Sequence, residues 1–434
     1  MLDRRTFIAG SAALALPSPA IAAAQSFVVV IVDDLLSVTY NRVRYGPRIR
    51  TPNLDRLVAQ GVFFSNAFCS TALCNPSRTA ILTGLNPFKT GIHRNRTAWH
   101  QRVTVAETFP GMMAANGWQL AMFGKVVHSY AEPFRTVSAD VIESNNNNPE
   151  DDAAMVDGAL DYLSRAAAPF LLMVGLRGPH APHGEHPEFN SLYPFAKIDR
   201  LDWNGEPSQS TVEDLPERIA RFISQDTSDQ KIQRYLSDVT AMDAQLGRLL
   251  AAVHPDTTVF LKSDHGHSLG DHDIDGKFTL WDEAGRAPLI IRQMGVTPAI
   301  ISPVVSLLDI APTMLDFCGI PQPAALDGVS LAPLLSDPNT PWTRGAMTSM
   351  GESLSFRHNR WRVSAVSTPD EWAGSVWRRG LALPKEQSVS EWADANRVLP
   401  ATSAEPGAGA RPGRHTCGAF KTRSASTIRM SVSC

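Results

Sequence analysis

The chain has 434 residues, of which 43% are hydrophobic and 19% are charged, and 40 Lys and Arg residues stand against 43 Asp and Glu residues. This composition excludes wholesale disorder and coiled-coil or collagen-like repeats, and the length fits two or three domains or one large α/β domain with an appendage. A net charge of -3 excludes nucleic acid as the main partner, because no basic excess is present to neutralise phosphates.

The first 24 residues predict a targeting segment. Arg4 and Arg5 precede an apolar run at residues 7–16, and small residues follow at 20–24, which is the pattern of a twin-arginine export signal. The apolar run is shorter than the roughly 20 residues that cross a bilayer, which disfavours a membrane anchor. We therefore expect cleavage near residues 22–24, a periplasmic or secreted location, and no stable insertion in a membrane.

Apolar runs alternate with helical patterns in the residues that follow. The β-branched run from Ser26 to Val32 predicts a strand buried on both faces, and Thr51-Pro52-Asn53 predicts a helix that ends at Gly61. The same reasoning predicts strands at Phe170–Gly175, Thr257–Leu261 and Leu289–Ile291, and helices at Asp229–Val253 and Val305–Phe317. Alternating strands and helices predict an α/β fold with a mostly parallel sheet, in which ligands bind beyond the carboxyl ends of the strands.

The pattern changes after residue 345. Residues 355–366, with a turn at His358-Asn359, predict antiparallel strands, and we assign residues 346–399 to a small C-terminal α+β subdomain. Residues 400–434 begin with a stretch rich in Pro, Gly, Ala and Ser, which predicts a flexible tail. The catalytic domain would then span residues 25–345.

Two of the predicted strands lead into acidic residues. Asp33 and Asp34 follow the first strand, and Asp264 follows the strand that begins at Thr257. Adjacent residues of a strand point to opposite faces, so Asp33 and Asp34 can share a site only if the chain leaves the extended conformation there. Converging carboxylates repel one another by roughly 4 kcal/mol per pair at 4 Å, and a hard divalent cation such as calcium or magnesium removes that cost. Taken alone, such an acidic pair is more often the cap of a helix or turn than a metal site.

The sequence CNPSRTAILTG, from Cys74 to Gly84, changes this balance. It resembles the signature of the type I sulfatases, members of the alkaline phosphatase-like superfamily, in which this cysteine is oxidised to formylglycine after translation. The resemblance extends from about Phe27 to Pro338 and is greatest to the iduronate-2-sulfatase-like branch. Further matching segments are TPNLDRL from Thr51, FGKVVH from Phe123, PHAP from Pro179, SDHG from Ser263 and the segment from Gly270 to Lys277.

The resemblance implies an alkaline phosphatase-like fold, a metal centre and a catalytic set. The implied metal ligands are Asp33, Asp34, Asp264, His265 and the modified Cys74. The implied cation is Ca²⁺, with Mg²⁺ or another divalent metal as alternatives, and the maturation partner is a formylglycine-generating enzyme. The implied catalytic side chains are Cys74, Arg78, Lys125, His128, His180 and Lys277.

These residue types suit the hydrolysis of a sulfate ester. A hydrated aldehyde at position 74 carries two hydroxyl groups: one attacks sulfur and expels the alcohol, and deprotonation of the other releases sulfate and restores the aldehyde. A helix predicted to begin at Pro76-Ser77 would direct its free N–H groups at the anion. The expected roles are orientation of position 74 by Arg78, charge neutralisation by Lys125 and Lys277, base catalysis by His128 and acid catalysis by His180.

The substrate and the metal remain open at this point. We expect a sulfated sugar or glycan, for which Trp99, His100 and the loop His183–Tyr193 are available as pocket residues. The alternatives are a phosphonate monoester or phosphodiester hydrolase of the same superfamily, or a non-catalytic glycan-binding relative. Two departures from the family bear on this: His265 replaces the asparagine of many sulfatases, and Gly178 stands where relatives carry Lys or Arg.

Overall fold

The computed structural model describes residues 25–37, 49–144, 150–198, 229–271, 274–351, 353–359, 361–366, 420–421 and 429–433, so the predicted targeting segment lies outside the described residues. A nine-stranded sheet forms the centre. Its strands are β1 Phe27–Val32, β2 Val62–Phe68, β3 Gln119–Gly124, β4 Asp140–Ile142, β5 Phe170–Leu176, β6 Thr258–Ser263, β9 Arg286–Ala287, β10 Leu289–Arg292 and β11 Ala299–Ser306. A small hairpin outside this sheet consists of β7 Ser268–Asp271 and β8 Ile274–Gly276.

The strand order is β11-β2-β10-β6-β1-β5-β3-β4, with β9 paired to β2. β1 pairs in parallel with both β5 and β6, whereas β10 runs antiparallel to its neighbours β2 and β6. The predicted fold class, an α/β fold with a mostly parallel central sheet, is therefore confirmed. Every side chain of β1 is buried, as its continuous β-branched run predicted.

Helices cover both faces of the central sheet. Alternate residues of β1 explain why: Val29 and Ile31 belong to one buried apolar cluster, and Val28 and Val30 belong to the other. The helices are α1 Pro52–Gln60, α2 Cys74–Thr83, α3 Pro87–Thr90, α4 Phe109–Ala115, α5 Glu150–Arg165, α6 Pro187–Asn190, α7 Asp229–Ala252, α8 Asp282–Gly285, α9 Ile310–Phe317 and α10 Ala332–Ser336. Among the described residues, no helix combines the length and apolar character that a membrane span requires.

Two predicted helix boundaries are wrong. The helix predicted over Val305–Phe317 begins at Ile310, because Val305 and Ser306 extend β11 alongside β2. The helix predicted to begin at Pro76-Ser77 begins at Cys74, with the Ser77 N–H donating to the Leu73 carbonyl oxygen at 3.0 Å. Cys74 therefore occupies the first helical position, where backbone N–H groups lack intrahelical partners.

A separate antiparallel sheet of five strands follows. Its strands are β12 Ala346–Met350, β13 Ser353–His358, β14 Trp361–Val366, β15 Phe420–Lys421 and β16 Arg429–Ser433, in the order β12-β13-β14-β16-β15. The predicted turn between β13 and β14 contains Asn359, whose φ of +49° lies in the left-handed region that asparagine tolerates. β15 and β16 come from residues 400–434, the stretch whose composition indicated a tail, and β16 pairs with β14.

Candidate active site

The three predicted carboxylates converge at the carboxyl ends of β1 and β6. These strands pair in register through Val32 and Ser263, so the acidic residues that follow them lie side by side. Asp34 has φ of +60°, which takes the chain out of extended geometry after Asp33, and its N–H donates to Asp264 Oδ1 at 3.3 Å. All three carboxylates are buried. The site thus concentrates negative charge where solvent cannot screen it.

Three cationic side chains lie against these carboxylates. Arg78 on α2 places Nε 2.8 Å from Asp264 Oδ2 and Nη2 3.2 Å from Asp33 Oδ1, while its Nη1 donates to the Lys125 carbonyl oxygen. The Lys125 ammonium pairs with Asp33, and Lys277 Nζ lies 2.5 Å from Asp34 Oδ1. Lys125 follows β3, and Lys277 follows β8. Arg78, Lys125 and Lys277, predicted from separate motifs, therefore belong to one site.

Cys74 lies inside this cluster and is 1% exposed. Its Sγ is 3.1 Å from Lys277 Nζ and 3.4 Å from His265 Nε2. Burial alone would raise the pKa of Cys74, but Lys277 and the other cations hold it well below its usual value. The side chain at position 74 is therefore surrounded by groups that stabilise a negative charge on it.

The donor atoms of the cluster fit a cation. Ligand atoms of Asp33, Cys74, Asp264 and His265 lie within 4.8 Å of one another, and Asp33, Asp34, Cys74 and His180 form a second such group. The Gly266 carbonyl oxygen accepts a hydrogen bond from His265 Nδ1 at 2.8 Å, so Nε2 is the nitrogen that faces the carboxylates. This is the orientation that a metal-binding histidine requires. All predicted metal ligands are thus brought together, with His180 as an addition.

Ionisation of the carboxylates follows from their partners. Burial opposes the charged forms of Asp33 and Asp34, but Lys125 beside the first and Lys277 beside the second hold each pKa well below its usual value. Burial dominates at Asp264 and raises its pKa. Burial also disfavours charged His265, yet Asp264 and the other acidic neighbours raise its pKa to about 9.

His180 and His128 are both partly exposed, and a ring nitrogen of His180 lies within 4.8 Å of ligand atoms of Asp33, Asp34 and Cys74. After Lys125 and Lys277, His180 is the next group that lowers the pKa values of Asp33 and Asp34. The Nδ1 of His180 contacts the Ala181 carbonyl oxygen, which is an acceptor, so Nε2 is the ring nitrogen that is available to the site. His128 comes three residues after Lys125. Its Nδ1 is buried and has no hydrogen-bond partner among the described residues.

Two buried carboxylates that the sequence analysis did not include hold the loop of residues 177–186, the His180 loop. Asp152 on α5 accepts from the N–H groups of Arg177 at 2.7 Å and Gly178 at 2.9 Å. Asp238 on α7 accepts from Gly184 N–H at 3.0 Å. It also lies 3.1 Å from His183 Nδ1 and 2.8 Å from His186 Nε2. The loop from residue 177 to 186 is therefore tied to two helices.

His267, which the sequence analysis did not include, borders the acidic cluster. Its Nδ1 lies 3.5 Å from Asp34 Oδ2, and its ring stacks on Tyr235 at a centroid distance of 5.2 Å. The Tyr235 hydroxyl donates to the Asp34 carbonyl oxygen at 2.7 Å. Tyr235 thus holds the left-handed turn at Asp34. Spacing in the sequence offers no signal for this contact, because it joins residues about 200 positions apart.

Comparison with known proteins gives a match to the Sulfatase family model over residues 25–320. A sulfatase of Formosa agariphila is 28% identical over 363 residues, which is 70% of this chain and 71% of that protein. Human iduronate 2-sulfatase is 27% identical over 338 residues, with 64% of this chain and 61% of that protein covered. The chain therefore matches less than two thirds of the length of the human protein.

Solved structures show the same fold. A protein solved in complex with its substrate D-glucosamine-2-N,6-O-disulfate has a TM-score of 0.62 and 22% identity, covering 79% of this chain and 89% of that one. The phosphonate monoester hydrolase of Agrobacterium radiobacter has a TM-score of 0.65 and 18% identity, covering 78% and 87%. Fold similarity alone does not separate these two activities.

Proposed function

The chain belongs to the sulfatase family, a family of sulfate ester hydrolases, and we propose that it removes O-sulfate from a sulfated sugar or glycan by means of a formylglycine derived from Cys74 and a divalent cation. The observation that carries this proposal is the position of Cys74 Sγ between Lys277 and His265, inside a cluster of three buried carboxylates.

The residues present fit a divalent cation. Three carboxylates and one correctly oriented imidazole supply hard oxygen donors and a nitrogen, and ligand atoms of Asp33, Asp264 and His265 lie within 4.8 Å of one another and of Cys74 Sγ. Asp33, Asp34, Asp264 and His265 would hold the ion beside position 74. A bound cation would supply charge stabilisation for the sulfate oxygens and for the oxygen at position 74. Oxygen donors favour Ca²⁺ or Mg²⁺, although the histidine is not a preferred ligand of either ion.

Charge explains how the site takes an anion. Three carboxylates are balanced by the side chains of Arg78, Lys125 and Lys277, so the described cluster is close to neutral before a dication binds. A dication leaves the site with an excess of positive charge, which favours a sulfate monoester. The positive end of the α2 dipole, at Cys74, adds to this attraction.

The chain's own residues then take distinct roles. Arg78 orients Asp33 and Asp264, and Lys277 Nζ, close to both Asp34 and position 74, neutralises charge as it develops there. Lys125 is 12% exposed and can meet sulfate oxygens from the open side. His128 would accept a proton from position 74, and His180 Nε2 would donate one to the leaving oxygen of the sugar.

Export and maturation are part of the same proposal. The N-terminal pattern supports a twin-arginine route to the periplasm or the exterior, and that route carries folded proteins. A formylglycine-generating enzyme in the cytoplasm could then act on Cys74 before export. The sulfated carbohydrate is supported by the relatives named iduronate 2-sulfatase and by the substrate bound in the similar structure.

Mass spectrometry of the peptide that contains Cys74 tests the chemistry. The protein is produced with and without a formylglycine-generating enzyme, and each sample is assayed on an aryl sulfate and on the matching aryl phosphonate. We expect the aldehyde mass only in the first sample, together with faster turnover of the sulfate. Cys318→Ala, which removes a buried cysteine at the end of α9, serves as the control. An unmodified Cys74 in fully active protein would refute the proposal.

A further inference from the structure

The segment from His93 to Arg102 is basic, although the chain as a whole is slightly acidic. It contains three exposed arginines, Arg94, Arg96 and Arg102, and no acidic residue. No ion pair connects these three guanidinium groups to an acidic side chain within the part of the chain that the structure describes. A local excess of unpaired arginine charge is suited to an anionic partner, because guanidinium groups bind carboxylates and sulfates through paired N–H donors.

This basic segment is attached to the start of α2, next to Cys74. Asn75 is 2% exposed, and its Nδ2 donates to the carbonyl oxygens of Arg94 at 3.0 Å and Thr97 at 2.7 Å. The Asn75 N–H donates to Asn95 Oδ1 at 3.0 Å. The backbone that carries Arg94 and Arg96 is thus fixed one residue from the reacting position.

Tyr130 lies beside the same segment and is 54% exposed, an unusual exposure for a large aromatic residue. Its φ of +64° is in the left-handed region, where a residue with a Cβ is strained. Trp99, which the sequence analysis expected to line a pocket, is buried instead, and its Nε1 donates to the carbonyl oxygens of Ser129 at 3.0 Å and Tyr130 at 3.1 Å. The Tyr130 ring contacts His100 at a centroid distance of 5.1 Å.

These contacts join an aromatic ring and unpaired cations to the start of α2. Tyr130 comes two residues after the partly exposed His128, and Trp99 joins it to the basic segment that Asn75 holds beside Cys74. Strain in an exposed aromatic residue beside a catalytic residue indicates a functional constraint on its position. Sugar rings pack on aromatic faces, and the acidic sugars of sulfated glycans carry further carboxylate or sulfate groups.

We propose that Arg94, Arg96 and Tyr130 form a subsite for the sugar unit next to the sulfated one, with its ring on Tyr130 and its carboxylate or sulfate on the arginines. This inference rests on the proposed function and deepens it, because it identifies the substrate as a polyanionic oligosaccharide rather than a single sugar or an aryl sulfate.

Calorimetric binding of heparin-derived disaccharide and hexasaccharide to the mature protein tests the subsite. We expect the wild type to bind the hexasaccharide more tightly, and R94A/R96A to lose roughly tenfold in affinity for it, a loss that shrinks at high salt. Y130G removes the ring while relieving the left-handed backbone, and we expect about a threefold loss that salt does not change. Y130F should bind as the wild type does.

R165A/R248A is the control, because it also removes two exposed arginines, from the last turns of α5 and α7, where these helices lead back to the amino ends of the strands and not to the acidic cluster. Equal affinity for both oligosaccharides, or an equal loss in the control, would overturn the proposal. Tighter binding of an oligonucleotide of equal charge, unaffected by Y130G, would do the same by showing a general polyanion surface. Hydrolysis of 4-nitrophenyl sulfate reports separately on the proposed function: its absence in a mature protein that still binds the hexasaccharide more tightly would refute the hydrolase and not the subsite.

Discussion

Lys277 Nζ lies 3.1 Å from Cys74 Sγ. The lysine is buried, and although burial would lower its pKa, the carboxylate of Asp34 at 2.5 Å raises that pKa above its usual value. Lys277 is therefore positively charged at neutral pH. The Lys277 ammonium therefore contacts both Asp34, a proposed ligand of the cation, and Cys74, the proposed nucleophile. One positive charge stabilises both groups.

The first prediction concerns the nucleophile. Cys74→Ala should abolish turnover of an aryl sulfate, because no other described side chain occupies the position between Lys277 and His265. The variant removes one buried atom from α2, and we expect the free energy of unfolding to change by less than about 2 kcal/mol. Initial rates and thermal unfolding of the same sample check both statements. Residual turnover within tenfold of the wild type would exclude Cys74 as the reacting residue.

The second prediction concerns the cation. Loss of a group that only contacts a metal ligand weakens metal binding by roughly 10–100-fold. Because Asp264 is proposed to bind the cation directly, Asp264→Asn should weaken divalent-metal binding by more than that. Elemental analysis after dialysis measures the metal content. Asp309→Asn provides the control, since this buried carboxylate accepts from the N–H groups of Ser306 and Val329 outside the cluster. Equal metal content in both variants would contradict the role of Asp264.

The third prediction concerns pH and the metal. The pKa of His265 is raised to about 9, so at pH 7 its Nε2 carries a proton that a cation must displace. Affinity for Ca²⁺ should therefore rise by up to about tenfold per pH unit between pH 6 and 9, as one proton is released on binding. His265→Asn removes the titrating group and should flatten this dependence. A slope in the variant as steep as that of the wild type would assign the released proton to another group.

Much of the site followed from residue order. Strand ends predict that Asp33, Asp34 and Asp264 meet, because parallel strands deliver their carboxyl ends to one edge of the sheet. The motif at Cys74 places the proposed nucleophile at the start of the adjacent helix. The left-handed turn at Asp34 was foreseen only as a departure from extended geometry, and the Tyr235 hydroxyl that holds it is set by how α7 packs on the sheet.

The errors have a common physical origin. The apolar residues Val305–Phe317 fit helix and strand patterns alike, and pairing with β2, which the local sequence does not encode, assigns Val305 and Ser306 to a strand. The prediction for Trp99 failed for the same reason. This aromatic residue was expected to face a ligand, but it is buried, and its indole N–H donates to two backbone carbonyl oxygens. Contacts between distant parts of the chain determine the conformation and burial of these residues, and the pattern of a single sequence does not reveal those contacts.

The fourth prediction concerns Lys262, a buried residue of β6. Its Nζ has no hydrogen-bond partner among the described residues, and burial, aided by Arg78, lowers its pKa to about 7. Lys262→Met should therefore stabilise the fold at pH 6, by an amount on the order of 3 kcal/mol. The gain is fully present below pH 7 and shrinks as pH rises from 7 towards 10.5, because over that range the unfolded chain binds a proton that the folded chain lacks.

Urea unfolding at pH 6 and pH 9 measures this difference. The control is Lys89→Met, since the Lys89 side chain is 46% exposed and its pair with Asp327 should contribute less than about 1 kcal/mol. A destabilised Lys262→Met protein at pH 6 would show that the ammonium has a favourable partner in the folded state.

The last prediction concerns the tie between the His180 loop and α7. The hydrogen bond to Asp238 raises the pKa of His186, so protonated His186 stabilises the folded chain. That contribution is complete below the unfolded pKa near 6.5 and is lost as pH rises through the raised folded value. His186→Ala should therefore lower Tm by roughly 2–4 °C at pH 5.5 and by clearly less at pH 9. His254→Ala, which removes a histidine that is 73% exposed just beyond the same helix, is the control. The same loop carries His180, the proposed acid. We therefore expect His186→Ala to lower kcat most at the pH at which it lowers Tm most. An equal change in Tm at both pH values would mean that Asp238 holds the loop through Gly184 and His183 alone.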